Sequence, residues 1–198
     1  MRAVRSLTGF GRNSYVSVMT PEDVETVDDL TIIVAPDPRL KRRAEAVARV
    51  DRDIRRLMDG MLAAMHRANG IGLAAPQVGV LKRVIVVDVS QPEEPPAPLR
   101  MADPEIVWAS DDLAAGDEGC LSLPEQFSEV VRPRAVRVRF RDENDAVQEV
   151  AADGLLAKCI QHEIDHLEGI LFVDHLSSLK RNIILRKLTK QKKLLATG

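Results

Sequence analysis

Two histidines separated by three residues, His162 and His166, carry the strongest chemical signal in the sequence. On a helix, residues four apart lie on one face about one turn from each other, so both imidazoles can bind one cation. Glu163 follows the first histidine and can reach a water on that cation. This pattern predicts a metal-dependent hydrolase, and its alternative is a chance match on a charged amphipathic helix.

Two imidazoles leave such a site incomplete, because catalytic zinc-type sites usually have three protein ligands and one open position. The downstream candidates for the third ligand lie close to the motif: Glu168, Asp174 and His175. The upstream candidate is Cys120, whose thiolate would complete a tetrahedral site with one position left for water. A free cysteine is more often a small buried hydrophobe. Spacing alone does not decide between these alternatives.

Residues 70–75 match the G-x-G-x-x-A pattern of dinucleotide-binding proteins. That fingerprint needs a strand before it and a helix after it. Here the predicted element before it is a helix, so the sequence predicts no nucleotide cofactor. The glycines instead allow an extended substrate to approach the backbone closely.

Three helices are predicted from apolar residues at helical spacing. The first covers residues 51–68 and is ended by Asn69 and Gly70, and the second covers residues 155–167 and carries the histidines. The third begins near Ser177 or Ser178. We expect its apolar side chains on one side: Leu179, Ile183, Leu188 and Leu195.

Strands are predicted between these helices. The β-branched run 84–89 indicates a buried strand, and alternation of apolar residues with arginines over 136–141 indicates a strand with one wet face. Residues 142–145 turn the chain, and residues 147–151 return as the partner strand. Residues 91–98 contain four prolines and predict a surface loop. This order of elements indicates an α+β fold.

The composition, 45% hydrophobic and 29% charged residues, is typical of a globular protein. No run approaches the ~18 apolar residues that cross a bilayer, so no membrane partner is expected. Two cysteines cannot form a disulfide framework, which favours the bacterial cytoplasm. We predict an N-terminal extension over residues 1–28 and one catalytic domain over residues 29–198. The extension begins with an arginine-containing stretch free of acids, so an organellar transit peptide is the alternative.

The C-terminal segment 176–198 contains seven basic residues and no acidic one, although the whole chain has a net charge of -2. Basic charges on a helix with an apolar stripe could contact an anionic partner such as ribosomal RNA. The alternative is a solvated helix face.

Three segments in order resemble the peptide deformylase family. They are GIGLAAPQ at residues 70–77, EGCLS at residues 118–122 and QHEIDH at residues 161–166. The similarity extends from about Ile32 to Arg181. Each segment alone is moderately specific, whereas all three in this order over most of the chain are highly specific.

The resemblance implies a metal site made of Cys120, His162 and His166. It implies one divalent ion, with Fe(II) expected in the cell, while the ligand set also suits zinc, nickel or cobalt in isolated protein. It also implies a fold in which small antiparallel sheets pack around the helix that bears the histidines, with an additional C-terminal helix.

The resemblance further implies the chemistry, which is removal of the formyl group from the N-terminal methionine of newly synthesised polypeptides. A metal-bound hydroxide would attack the formyl carbon, with Glu163 as general base and acid. Gln77 and the backbone N–H of Leu121 would polarise the carbonyl. The residues expected to bind the N-formyl-Met peptide are Gly70, Ile71, Gly72, Glu118, Gly119 and Leu155.

Three positions depart from the pattern that the resemblance implies: Gly116, Lys158 and Phe127. They lie outside the proposed chemistry and concern side-chain preference. Two other functions are alternatives to this hydrolase. One is a metalloprotease, which shares the histidine motif, and the other is a family member that has lost catalysis and survives as a binding protein.

Overall fold

This computed structural model describes residues 30–91, 93 and 95–195, which contain three α-helices and two antiparallel sheets. The helices are α1 (Arg52–Arg67), α2 (Gly154–Leu167) and α3 (Ser178–Leu195). The strands are β1 (Gly72–Ala74), β2 (Val84–Val87), β3 (Leu99–Ala109), β4 (Leu113–Cys120), β5 (Leu123–Pro133), β6 (Ala135–Arg141) and β7 (Val147–Asp153). The larger sheet has the order β1-β2-β3-β6-β7, and β4 pairs with β5 in the smaller one.

Helix α1 begins where the side chain of Asp51 accepts hydrogen bonds from the N–H groups of Asp53 and Ile54. This cap satisfies two of the donors that a helix leaves unpaired at its start. Met58, Met61 and Met65 lie on the buried face of the helix. The predicted first helix is therefore confirmed, and its methionines belong to the core.

Strand β2 is buried on both faces of the larger sheet. Val84 and Val86 pack in the cluster that contains α1, whereas Ile85 and Val87 pack in the cluster that contains α2. Successive side chains of a strand point to opposite faces, so two helices cover one strand. The prediction of a buried strand is confirmed, although the strand ends at Val87 rather than at residue 89.

Strands β6 and β7 form the predicted hairpin, with Ala135 opposite Asp153 and Arg141 opposite Val147. The apolar side chains of β6, at positions 136, 138 and 140, are buried in the cluster beneath α2. The arginines between them lie on the opposite face, as the period of two requires.

Helix α2 lies between the two sheets. Gly154, at its first position, has φ +52°, a conformation that favours glycine. Ala157, Ile160 and Leu167 pack on the larger sheet. The predicted second helix is confirmed, and His162 and His166 lie on it.

Helix α3 packs against the smaller sheet through Leu188, which is 2% exposed. Leu179 and Ile183 are 71% and 58% exposed, so the prediction that they share one face with Leu188 is wrong. Two positions five residues apart on a helix are separated by roughly 140° around its axis, which places Ile183 almost opposite Leu188. The side chain of Leu195 lies outside the described residues.

The arrangement confirms the predicted α+β fold, with small antiparallel sheets around α2 and an additional C-terminal helix. The predicted extension over residues 1–28 lies outside the described part of the chain. Among the described residues, no helix combines the length and apolar character that spanning a bilayer requires.

Candidate metal centre and active site

Cys120, His162 and His166 come together between α2 and the end of β4. One ligand atom from each residue lies within 4.8 Å of the others, and Cys120 Sγ is 3.2 Å from His166 Nε2. The two histidines are 8% and 1% exposed. The hairpin β4–β5 turns at residues 121–122, so Cys120 is held at the tip that faces the helix.

The downstream candidates for a third ligand are engaged elsewhere. Glu168 pairs with Arg83 and Arg43, and Asp174 pairs with Lys41 and Arg181. His175 Nε2 lies 2.7 Å from an oxygen of Asp165. Among these candidates the structure brings only Cys120 to the histidines.

The donor set fits a transition-metal or zinc ion. A thiolate and two imidazole nitrogens are ligands that such ions take in tetrahedral sites with one open position. Two buried atoms of this cluster, Glu163 Oε2 and His166 Nδ1, have no hydrogen-bond partner among the described residues. Buried polar atoms are rarely left unpaired, so the free Oε2 of Glu163 agrees with a site completed by a further group. Nδ1 of His166 does not support this point, because the ring nitrogen that faces Cys120 is Nε2.

Glu118 orients the first histidine. Its Oε2 lies 2.8 Å from His162 Nδ1, while both carboxylate oxygens accept hydrogen bonds from Arg132 at 2.5 and 3.0 Å. Burial alone would raise the pKa of Glu118, but the hydrogen bonds from His162 and Arg132 lower it to about 2. An ionised carboxylate can only accept, so Nδ1 of His162 donates and its Nε2 is left free to bind a cation.

Arg132 links this pair to a second carboxylate. Its Nη1 donates to Asp165 at 2.9 Å. Burial acts to lower the pKa of Arg132, but hydrogen bonding to Glu118 raises it above its ordinary value. The guanidinium therefore stays charged and fixes Glu118 behind His162.

Glu163 lies beside the candidate metal ligands with a carboxyl group that can change its protonation state. Its burial raises its pKa to about 7, although the charge of His162 opposes the shift. The carboxyl occupies space that a side chain at position 72 would need. A Cβ on Gly72 would lie 2.7 Å from Cys159 Sγ and 2.9 Å from Glu163 Cδ. Glycine is thus required here to make room for Glu163.

Gln77 is held with its amide nitrogen towards the proposed ligands. Its Oε1 accepts a hydrogen bond from the N–H of Ala74 at 2.8 Å. Its Nε2 donates to Ser122 Oγ at 3.2 Å and lies 3.5 Å from Cys120 Sγ. Because the oxygen is bound to the backbone, the NH2 group, which contacts Ser122 and Cys120, is the part of Gln77 that faces the proposed ligands.

A cleft of about 680 Å³ opens above these groups. Ile71, Leu155 and Phe127 present exposed apolar surface along it. All the predicted site residues except His166 line the cleft. They are Gly70, Ile71, Gly72, Gln77, Glu118, Gly119, Cys120, Leu121, Leu155, His162 and Glu163. The cleft therefore brings together predicted site residues that are as much as 93 positions apart in sequence, from Gly70 to Glu163.

The polypeptide deformylase family model matches residues 29–182. The chain belongs to this family. It is 52% identical to the peptide deformylase of Methylocella silvestris over 166 residues, which cover 82% of this chain and 85% of the relative. It is 51% identical to that of Phenylobacterium zucineum over 162 residues, 82% of this chain and 96% of the relative. Family membership makes the chain a hydrolase, as the resemblance implied.

Solved structures of the family have the same fold. The peptide deformylase of Ehrlichia chaffeensis matches with a TM-score of 0.80 and 40% identity, covering 83% of this chain and 97% of that chain. A peptide deformylase from Legionella pneumophila matches with a TM-score of 0.78 and 41% identity, covering 85% of this chain and 98% of that chain.

Sequence reasoning missed the polar groups behind the ligands, namely Arg132, Asp165 and Ser122. A metal-binding histidine usually donates its second ring nitrogen to a carboxylate or carbonyl. That rule, with Glu118 two positions before Cys120, was the available signal for the contact between Glu118 and His162. Arg132 and Asp165 carried no comparable signal, because each is an ordinary charged residue in its own segment.

Proposed function

We propose that this chain hydrolyses the formyl group from the N-terminal methionine of newly synthesised polypeptides, within one catalytic domain over residues 29–198. The observation that carries the proposal is the convergence of Cys120, His162 and His166 beneath a cleft beside Glu163. The bacterial relatives named peptide deformylase support the same substrate class and a bacterial cytoplasmic setting.

The peptide would lie extended along the cleft. Strand β1 is at the edge of the larger sheet, so one side of its backbone has no strand partner, although the N–H of Ala74 is already bound to Gln77. An extended peptide can add to such an edge through main-chain hydrogen bonds. Residues 70–72 on one wall and Glu118 and Gly119 on the other would bind its backbone. Ile71 and Leu155 would contact the first side chain.

Glu163 would act as the general base and acid. It would take the proton of the attacking water and return it to the leaving amine, which a carboxyl with a pKa of about 7 can do near neutral pH. The Nε2 of Gln77 and the backbone N–H of Leu121 would donate hydrogen bonds to the oxygen of the formyl group as it gains charge. Losing one such donor typically raises the barrier by ~3–4 kcal/mol.

A divalent cation held by Cys120, His162 and His166 would supply Lewis-acid chemistry, polarising oxygen and lowering the pKa of water. We propose Fe(II) as the ion used in the cell. The same ligands accept zinc, nickel or cobalt in isolated protein, because a mixed sulfur and nitrogen donor set does not select among these ions.

The test is turnover of a formyl-Met peptide by protein prepared without oxygen. Glu163→Ala should abolish turnover while metal stays bound, whereas Cys120→Ala should remove the metal. Glu149→Ala, on the exposed face of β7, is the matched control and should keep full activity. Near-normal turnover by Glu163→Ala would refute its role, and cleavage of internal bonds in unmodified or acetylated peptides would favour a protease.

We also propose that α3 brings the enzyme to the ribosome. Its outer face combines exposed Leu179 and Ile183 with exposed Lys187 and Lys190. Apolar contacts and cations on one face suit a surface of RNA and protein, and the phosphate contribution weakens with salt.

The ribosome contact is tested by a substitution that leaves the buried side of α3 intact. Lys187→Gln with Lys190→Gln should weaken ribosome binding and lower the dependence of log K on log[salt] by about 2, because each lost phosphate contact changes that slope by about 1. Turnover of short peptides should not change. Arg52→Gln with Arg55→Gln on α1 is the control, and equal binding by both double variants would refute the proposal.

A further inference from the structure

Lys158 lies on the wall of the cleft, one helical turn from the first metal ligand. Leu155, Lys158 and His162 are three and four residues apart on α2, so they follow one face of the helix. Leu155 and Lys158 both line the cleft. One turn corresponds to about 5.4 Å along the axis, which is comparable to the length of an extended methionine side chain.

Gly116 on β4 leaves the space in which the lysine lies. A Cβ at position 116 would be 3.3 Å from Lys158 Nζ and 3.8 Å from its Cδ. The ammonium donates a hydrogen bond to the backbone oxygen of Asp117 at 2.9 Å. One of its three donors is therefore used to fix the side chain, and two remain for other acceptors.

Lys158 is the only lysine or arginine that lines the cleft in the part of the chain that the structure describes. The side chains expected to contact the first substrate residue, Ile71 and Leu155, are apolar. The ammonium keeps two unused donors in a cleft that it shares with these apolar side chains, so an acceptor oxygen on the first substrate side chain would gain a charge-assisted hydrogen bond there.

We propose that Lys158 is a specificity residue that favours formyl peptides whose first side chain ends in a hydrogen-bond acceptor oxygen, such as oxidised methionine. The inference rests on the proposed function, since it assumes that the first side chain packs beside Leu155. The first atom of that side chain, Cβ, is three bonds from the formyl carbon. If the formyl group lies at the metal ligands, the end of an unbranched side chain reaches the level of Lys158.

The test compares kcat/KM for three peptides, identical except for norleucine, methionine or methionine sulfoxide after the formyl group. Lys158→Met keeps an unbranched side chain that is one atom shorter and removes its donors. The sulfoxide-to-norleucine ratio should fall by about tenfold in this variant, the size expected for loss of a hydrogen bond to a charged group. Lys82→Met, an exposed lysine paired with Glu45, is the control and should keep the wild-type ratio.

Gly116→Ala gives a second measurement, because the added methyl group, 3.3 Å from the ammonium nitrogen, shifts the ammonium by a few tenths of an ångström without removing its charge. Its ratio should lie between those of wild type and Lys158→Met. A ratio that stays within about twofold of wild type in Lys158→Met would overturn the inference, since a charge-assisted hydrogen bond is worth more than that. Failure of the wild-type protein to deformylate the methionine peptide would instead refute the proposed function.

Discussion

Replacing Glu118 by glutamine tests whether this carboxylate holds the proposed metal ligand His162 in place. The native carboxylate accepts hydrogen bonds from Arg132 Nε, Arg132 Nη2 and His162 Nδ1. Glutamine has one oxygen, and its NH2 group would face one of these donors. Glu118→Gln therefore leaves at least one buried donor without an acceptor.

The expected cost is worked from these contacts. Breaking a buried ion pair by changing one partner costs roughly 3–5 kcal/mol. We expect about 3 kcal/mol, the lower end, because Arg132 keeps its 2.9 Å contact with Asp165. Loss of a carboxylate behind a metal-binding histidine typically lowers metal affinity by about 10–100-fold, and the same loss is expected here.

Two assays measure these effects separately. Urea unfolding of the metal-free protein gives the free energy of unfolding, and competition with a chelator for zinc gives the affinity. Glu45→Gln, which breaks the exposed pair with Lys82, is the control and should cost less than about 1 kcal/mol. The reasoning is refuted if Glu118→Gln loses under about 1 kcal/mol and its zinc affinity stays within about threefold of wild type.

Two further predictions follow from the described contacts. Gly72→Ala should lower kcat for a formyl-Met peptide by about 100-fold, because the new methyl group would overlap the carboxyl of Glu163 and displace it from its position. An unchanged kcat would contradict this. Asp174→Asn should destabilise the protein at neutral pH in urea unfolding. Burial acts to raise the pKa of Asp174, but hydrogen bonding to Lys41 and the charge of Arg181 lower it. The contribution of the Asp174 carboxylate to the free energy of unfolding is therefore present above its ordinary pKa and is lost as the pH falls through the lowered pKa. The unfolding free energies of wild type and Asp174→Asn should converge in acid.

The sequence predicted the elements with regular patterns. The 16 residues of α1 have a clear apolar face and an aspartate cap, and β6 alternates strictly. Strands β3, β4 and β5 were not predicted. Strand β3 contains Pro104 and register shifts, and β5 contains Pro124 and Pro133. Proline argues against a central strand, and its positions here are tolerated by tertiary contacts that periodicity does not report.

The candidate site was predicted through local spacing and through resemblance. Helical geometry alone placed His162 and His166 together, but nothing in the spacing chose Cys120 over the downstream carboxylates. That choice depends on how β4 meets α2, which is a long-range contact. For the same reason the contact of Arg132 with Glu118 could not be predicted, and neither could the exposure of Ile183 on α3.

The proposed ligands come from two parts of the chain that form in different ways. The histidines are aligned as soon as α2 exists, since helix geometry sets their spacing. Cys120 reaches His166, 46 positions away, only once the β4–β5 hairpin is docked. A cation held by all three residues would act as a cross-link between sheet and helix, and its binding free energy would add to the stability of their contact. Gly119 and Leu121 flank the cysteine, so loss of the ion would loosen one wall of the substrate cleft together with the reactive centre.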